Sequence, residues 1–188
     1  MEDEFVSREK KILTILEQEI EDGEEMSAAV RHIAERLLLE EKGYASPDIR
    51  KNVVFDVTLD AETAKSSVDF VVSLDNRIGM LIKCAPGSLD SRERHIVAAA
   101  RVFDVLPVPM AVVMDPVTAV VLDTATGKVA GEGFDAIPTK EQLRVLLAGK
   151  EPKPIAPEKL EREKRVLLAF DAIRCCIPRG GQGGVPLE

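Results

Sequence analysis

An aspartate embedded in one apolar run and a lysine closing the next are the residues of this sequence best placed to do chemistry. Asp69 stands in Ser67-Val68-Asp69-Phe70-Val71-Val72-Ser73-Leu74, and Lys83 in Ile78-Gly79-Met80-Leu81-Ile82-Lys83-Cys84-Ala85-Pro86. The two runs read as the strands of a hairpin around Asp75-Asn76-Arg77. A three-residue turn pairs Leu74 with Ile78, Val72 with Met80 and Phe70 with Ile82 on one face. The other face then pairs Ser73 with Gly79, Val71 with Leu81 and Asp69 with Lys83. A two-residue turn would set apolar positions of one strand against the mixed face of the other, so the three-residue register is expected.

An acid and a base held side by side fit two descriptions. One is a cross-strand ion pair on a partly solvated face, contributing roughly 0.2–1 kcal/mol. The other is a metal-dependent phosphodiester-cleaving site, in which the carboxylate holds Mg²⁺ and the lysine stabilises charge or positions the attacking water. Spacing alone does not separate them.

Asp69 inside an apolar strand, fourteen residues before a lysine that ends the next strand and is followed by Ala85-Pro86 and a helix, resembles the PD-(D/E)XK nuclease core. More narrowly, the arrangement resembles the N-terminal nuclease-like domain of the R subunit of type I restriction enzymes. The resemblance takes in Val30-Arg31, the apolar helix after it, Gly43-Tyr44, a helix from about Leu89 to Leu106 and the Pro109–Leu122 strands, and covers roughly residues 26 to 147. It implies a restriction-endonuclease-like fold, Mg²⁺-dependent phosphodiester cleavage, DNA as a partner and association with other subunits of a restriction system.

One departure weighs against cleavage. The family places Glu or Asp two residues before the lysine as the second metal carboxylate, and that position is Leu81. The family's Asp carries over onto Asp69 and its Lys onto Lys83, while the backbone carbonyl of Ile82 remains available as a ligand. The family also tends to carry a Gln early in the following helix, where this chain offers Glu93 or His95. With one carboxylate, a cation that wants six oxygens must rely on water and backbone. Asp56 on the preceding strand or Glu35 on the second helix could supply a replacement, and each equally fits a solvated polar position.

The elements that must position these residues follow from periodicity. Ile12, Leu13, Ile15, Leu16 and Ile20 mark an amphipathic helix ended by Gly23. Ser27 can cap a second helix, with Val30, Ile33, Ala34, Leu37 and Leu38 at helical spacing and Gly43 as its stop. Val53, Phe55, Val57 and Leu59 alternate as a first strand. After the hairpin, Ser88 can cap a helix whose Ile96, Val97, Ala99, Ala100, Phe103 and Leu106 pack on the sheet. Its opening turns carry Arg92 and Arg94, so Ser88, Arg92, Arg94 and Lys83 could together bind a phosphate, or the arginines could form a solvated basic face. Met110 to Met114 reads as a central strand and Val117 to Leu122 as another. Thr139-Lys140-Glu141-Gln142 is a capping box that opens a helix ending at Gly149.

Residues 150–157, with three prolines, read as a linker to a terminal helix bearing Leu160, Val166, Leu167, Phe170 and Ile173, followed by a Gly-rich tail. The expected organisation is an acidic N-terminal helix over 1–25, a nuclease-like core over 26–149, the linker, and a C-terminal helix with tail over 158–188. That terminal helix could dock on the core, pair with the first helix or join a second subunit as a homodimer.

At 188 residues and 45% hydrophobic content, the chain can bury one substantial core, an α+β arrangement with a mixed sheet flanked by helices. No apolar run approaches a membrane span and no signal-peptide pattern opens the chain, which points to the cytoplasm. Cys84, Cys175 and Cys176 lack zinc spacing and fit a reducing compartment. The net charge is −8, of which residues 1–25 carry −7, so the remainder is nearly neutral at −1. A near-neutral core offers no broad basic surface for counterion release, and weak DNA affinity is expected. The leading reading is therefore a restriction-associated, DNA-linked protein with cleavage weak or lost. The alternative is a non-catalytic interaction or regulatory protein on the same scaffold.

Overall fold

The computed structural model describes residues 24–85, 89–149 and 153–175. Six strands form one mixed sheet in the order of the chain: β1 (Ile49–Leu59), β2 (Glu62–Leu74), β3 (Arg77–Cys84), β4 (Met110–Met114), β5 (Ala119–Asp123) and β6 (Lys128–Glu132). Every neighbouring pair is antiparallel except β3 and β4, which run parallel. A parallel pair needs a crossover, and helix α2 (Asp90–Val102) provides it. Helix α1 is described from residue 24 to residue 36 and runs into a π-helical turn, Leu37–Glu41. Helices α3 (Lys140–Gly149) and α4 (Pro157–Cys175) follow the sheet.

The strands β2, β3 and β4 read as near-continuous apolar runs because both faces of the sheet are covered. On one face, Val30, Ala34 and Leu38 of α1 and Leu143 of α3 pack with Phe70, Val72, Met80 and Ile82. On the other, Ile96 and Ala99 of α2 and Leu167 of α4 pack with Val71, Leu81 and Val113. Each fully buried large apolar side chain contributes about 1.5–3 kcal/mol to holding these layers together.

The hairpin of β2 and β3 has the expected pairs in its interior: Phe70 with Ile82, Val71 with Leu81 and Val72 with Met80. Its turn differs. Ser73 pairs with Ile78 and Leu74 with Arg77, leaving a two-residue turn in which Asp75 and Asn76 both have positive φ, 50° and 62°. The register shift between Val72 and Ser73 leaves Gly79 as an extra residue on β3, a bulge that reconciles a tight turn with the apolar pairing beyond it. A Cβ at this glycine would lie 2.9 Å from both terminal methyl carbons of Leu143, so any larger residue there requires that side chain to move.

A second irregularity bears on the site. Val68 packs on the α2–α4 side of the sheet and Phe70 on the α1 side, so two-residue alternation breaks at Asp69. Opposite it, Asn52 of β1 adopts φ of 51° and interrupts the ladder between Lys51–Phe70 and Val53–Val68. The long β1–β2 hairpin thus turns one half toward each core, and Asp69 stands where it turns.

Other expectations are corrected locally. Ser27 lies inside α1 rather than capping it. Helix α2 ends at Val102 rather than near Leu106, which is 39% exposed and does not pack on the sheet. The strand expected from Val117 begins at Ala119, because Asp115 accepts hydrogen bonds from the Val117 and Thr118 N–H groups and shapes a turn there. Gly43, at φ 75°, ends the first helical segment, and Thr139 and Gln142 form the reciprocal cap of α3. The helix expected around Ile12 to Ile20, with its Gly23 stop, and the Ser88 cap lie outside the described residues. Helix α4 docks on α2 and on β1 and β2. Among the described residues no helix is long and apolar enough to cross a membrane.

Candidate active site

The kink at Asp69 lets its carboxylate leave both sheet faces and turn toward the end of β3. Oδ2 accepts a hydrogen bond from the N–H of Cys84 at 2.8 Å and lies 3.5 Å from Lys83 Nζ. Oδ1 lies 3.6 Å from Nη1 of Arg31, which reaches down from α1. Lys83 also donates to the carbonyl of Ser67 at 3.2 Å. Both members of the pair are buried, with side-chain exposures of 5% for Lys83 and 10% for Asp69, so their mutual attraction is far less screened than on a surface.

Leu81, where the resemblance leads one to expect a second carboxylate, is completely buried against the α2 layer. At the end of β3, on the opposite face of the sheet, burial first and the Asp69 charge second push the Cys84 thiol well above its ordinary range, so it stays a neutral thiol. Each of the two alternative acids has a basic partner. Glu35 bonds Lys51 at 2.5 Å, and Asp56 lies 3.7 Å from Lys65, directly opposite it in the β1–β2 ladder. Among the described residues no three His, Cys, Asp or Glu side chains converge on one point. The arrangement at Asp69 therefore does not fit a six-coordinate Mg²⁺: its one carboxylate already faces an N–H group and two side-chain cations, and its apolar neighbour offers no oxygen.

Of the residues expected to bind a phosphate, Ser88 lies outside the described residues and Arg94 is engaged by another helix. Arg94 points along α2 to Glu163 of α4 at 2.5 Å, and Glu163 also holds Arg101 at 2.9 Å. Arg92 is half-buried in the first turn of α2, where its N–H bonds the carbonyl of Leu89. His95, one of the two residues at the family's Gln position, is buried against α4, with its ring 5.4 Å from that of Phe170 and Nε2 3.4 Å from Asp171. Glu93 is raised above the usual carboxylate range by burial and by its neighbours Asp90 and Glu132.

Two functional contacts were not singled out from the sequence. Arg31 was visible only as half of the Val30-Arg31 pair, and its adjacency to a buried core valine was the available signal. Glu163 sits in a charged stretch of α4, where nothing in the spacing marks it as the 3% exposed partner of two arginines.

The chain matches the family described as type I restriction enzyme R protein N terminus over residues 25–138, and it belongs to that family. No curated protein and no solved structure matches it. The matched span runs from α1 to the turn before α3 and contains Arg31, Asp69, Leu81 and Lys83, while Glu163 and all of α4 lie beyond it.

Proposed function

We propose that this chain is a DNA-associated protein on a PD-(D/E)XK nuclease-like scaffold whose Mg²⁺-dependent phosphodiester cleavage is weak or lost. The observation that carries this reading is the closed environment of Asp69: Lys83 and the Cys84 N–H face one oxygen, Arg31 faces the other, and Leu81 stands where a second carboxylate would be needed. A hard cation gains most of its binding from anionic oxygens, and this site offers one that is already neutralised. The partners in this reading are DNA, bound weakly, and other subunits of a restriction system or a second copy docked through the terminal helices.

A second reading, a non-catalytic interaction protein, is favoured by one observation: Glu163 takes up Arg94 and Arg101, so these arginines are committed to holding α4 rather than to a phosphate. One pair of measurements tests both readings. Supercoiled plasmid incubated with Mg²⁺ or Mn²⁺ is expected to stay uncut, and duplex DNA is expected to bind at low salt with affinity that falls as salt rises. Robust cleavage abolished by Asp69→Ala would overturn the first reading. Absence of DNA binding at low salt would leave the interaction protein.

A further inference from the structure

At the far end of the sheet from Asp69, a cleft of about 400 Å³ opens between the loop entering β4, the turn leaving β5 and the segment leading into α4. Since β3 and β4 run parallel and Lys83 pairs with Val113 near the exit of β4, the cleft at Pro109 is separated from Lys83 by most of a strand. Its walls are mainly apolar, from Pro107, Pro109, Ile155 and Ala156, and two exposed lysines, Lys153 and Lys159, stand at its rim. The apolar surface continues outward onto Val105 and Leu106, which are 91% and 39% exposed.

The wall on the β5 side is preset rather than loose. Buried Arg101 donates from Nε to the carbonyl of Thr124 at 2.8 Å and from Nη2 to that of Ala125 at 3.3 Å, while Glu163 holds its Nη1. The acid in the lining, Asp123, accepts hydrogen bonds from the N–H and hydroxyl of Thr126, each at 2.8 Å, and so is turned into its own loop. With Arg101 held by Glu163, Lys153 and Lys159 stand against the single carboxylate of Asp123, so the lining is net positive.

We propose that this cleft binds a small amphipathic organic anion, an acidic head held by Lys153 and Lys159 with an apolar body against Pro107, Pro109 and Ile155. The volume lies within the range of small-molecule sites, which are mostly apolar with a few placed polar groups. The two lysines supply the sign of the head group. The inference is independent of whether the Asp69 site cleaves DNA, because it uses none of the same residues.

The test is calorimetric titration of the whole chain with decanoate and, separately, with decylamine, which has the same apolar body and the opposite charge. Decanoate should bind saturably at one site and decylamine should not. Lys153→Glu/Lys159→Glu should weaken decanoate by about tenfold or more. Ala156→Trp, which fills the cleft from an exposed position, should abolish binding with thermal unfolding unchanged. Equal binding of both amphiphiles, an unchanged affinity in the lysine variant, or binding only to anionic lipid vesicles and not to monomeric decanoate would overturn the proposal.

Discussion

Asp69 and Lys83 lie on adjacent antiparallel strands with Oδ2 and Nζ 3.5 Å apart, and the N–H of the residue after that lysine donates to the same oxygen at 2.8 Å. Consecutive residues of β3 thus grip one carboxylate, one through its charge and one through its backbone. A buried pair of this kind is costly to break from one side. Removing the acid takes away the carboxylate that faces a buried ammonium, so Asp69→Ala should lower stability by about 3–5 kcal/mol in urea unfolding. Asp69→Ala/Lys83→Met should regain part of that loss, because the buried ammonium is gone; with Lys83→Met alone closing the cycle, additive losses from the two single variants would show that the pair is not coupled.

Leu81 tests whether the metal site can be restored. Leu81→Glu places a carboxylate on a completely buried position near Asp69, and should cost a few kcal/mol in the absence of metal. Mn²⁺ should then bind more tightly than to the unaltered chain and raise the unfolding temperature. Adding Arg31→Ala should strengthen that response, since the guanidinium 3.6 Å from Oδ1 competes with an incoming cation. Calorimetry with Mn²⁺ on all three proteins reads the result. No gain in either variant would mean that the pocket has closed around the leucine.

Acid sensitivity should appear where Asp48 meets Lys140, 2.6 Å away. Burial would raise the Asp48 carboxyl, but the hydrogen bonds from Lys140 and from the Ala45 N–H, with the lysine charge, together hold it below its usual range. A carboxyl lower in the folded than in the unfolded chain stabilises above its unfolded value and loses that contribution as pH falls through its folded one. Lys140→Met should therefore cost up to about 1 kcal/mol near neutral pH. The gap between the two proteins should close as the medium is acidified below about pH 3.9. Denaturant unfolding over a pH series measures it, and a gap that persists in acid would assign the loss to packing of the lysine stem.

Glu163 should be the most consequential charge on α4. It is 3% exposed and serves both Arg94 and Arg101, so Glu163→Ala should destabilise by about 3–5 kcal/mol. Arg94→Ala should cost much less, because that side chain is 46% exposed. Hydrogen exchange should show the amides of α4 losing protection first in the glutamate variant. Unchanged exchange in α4 would mean that Leu167 and its apolar neighbours hold the helix without help.

The interior of the central hairpin was legible because Phe70, Val72, Met80 and Ile82 form an unbroken apolar face that admits one register. The turn was not, since the bulge falls on Gly79, which has no side chain to reveal which face it takes. The kink at Asp69 was equally hidden: Asn52 carries the unusual backbone angle, and asparagine is common in loops as well as in left-handed positions. Strand β6 escaped because Lys128, Val129 and Ala130 are all exposed, so no alternation marks them. At the site, the pairing of Asp69 with Lys83 was readable from spacing, while Leu81 drew notice only through the family resemblance. The approach of Arg31 and the capture of Arg94 by Glu163 were not, because both are contacts between elements far apart in the chain.

The sheet's strand order has a consequence for how the molecule is made. Each strand from β2 to β6 pairs with the one just before it, so a chain leaving the ribosome can zip its sheet in the order it is synthesised, with α2 as the one detour. Helix α4 is the exception, because it returns to α2 and the β1–β2 hairpin after everything else is in place. Until it arrives, Arg101 lacks the carboxylate that the finished protein gives it, and the apolar face around Phe55 and Val57 stays open to water. Of the described elements, α4 is therefore the last to be made and the one that seals the fold, and a nascent chain stalled before it would be the form most exposed to aggregation.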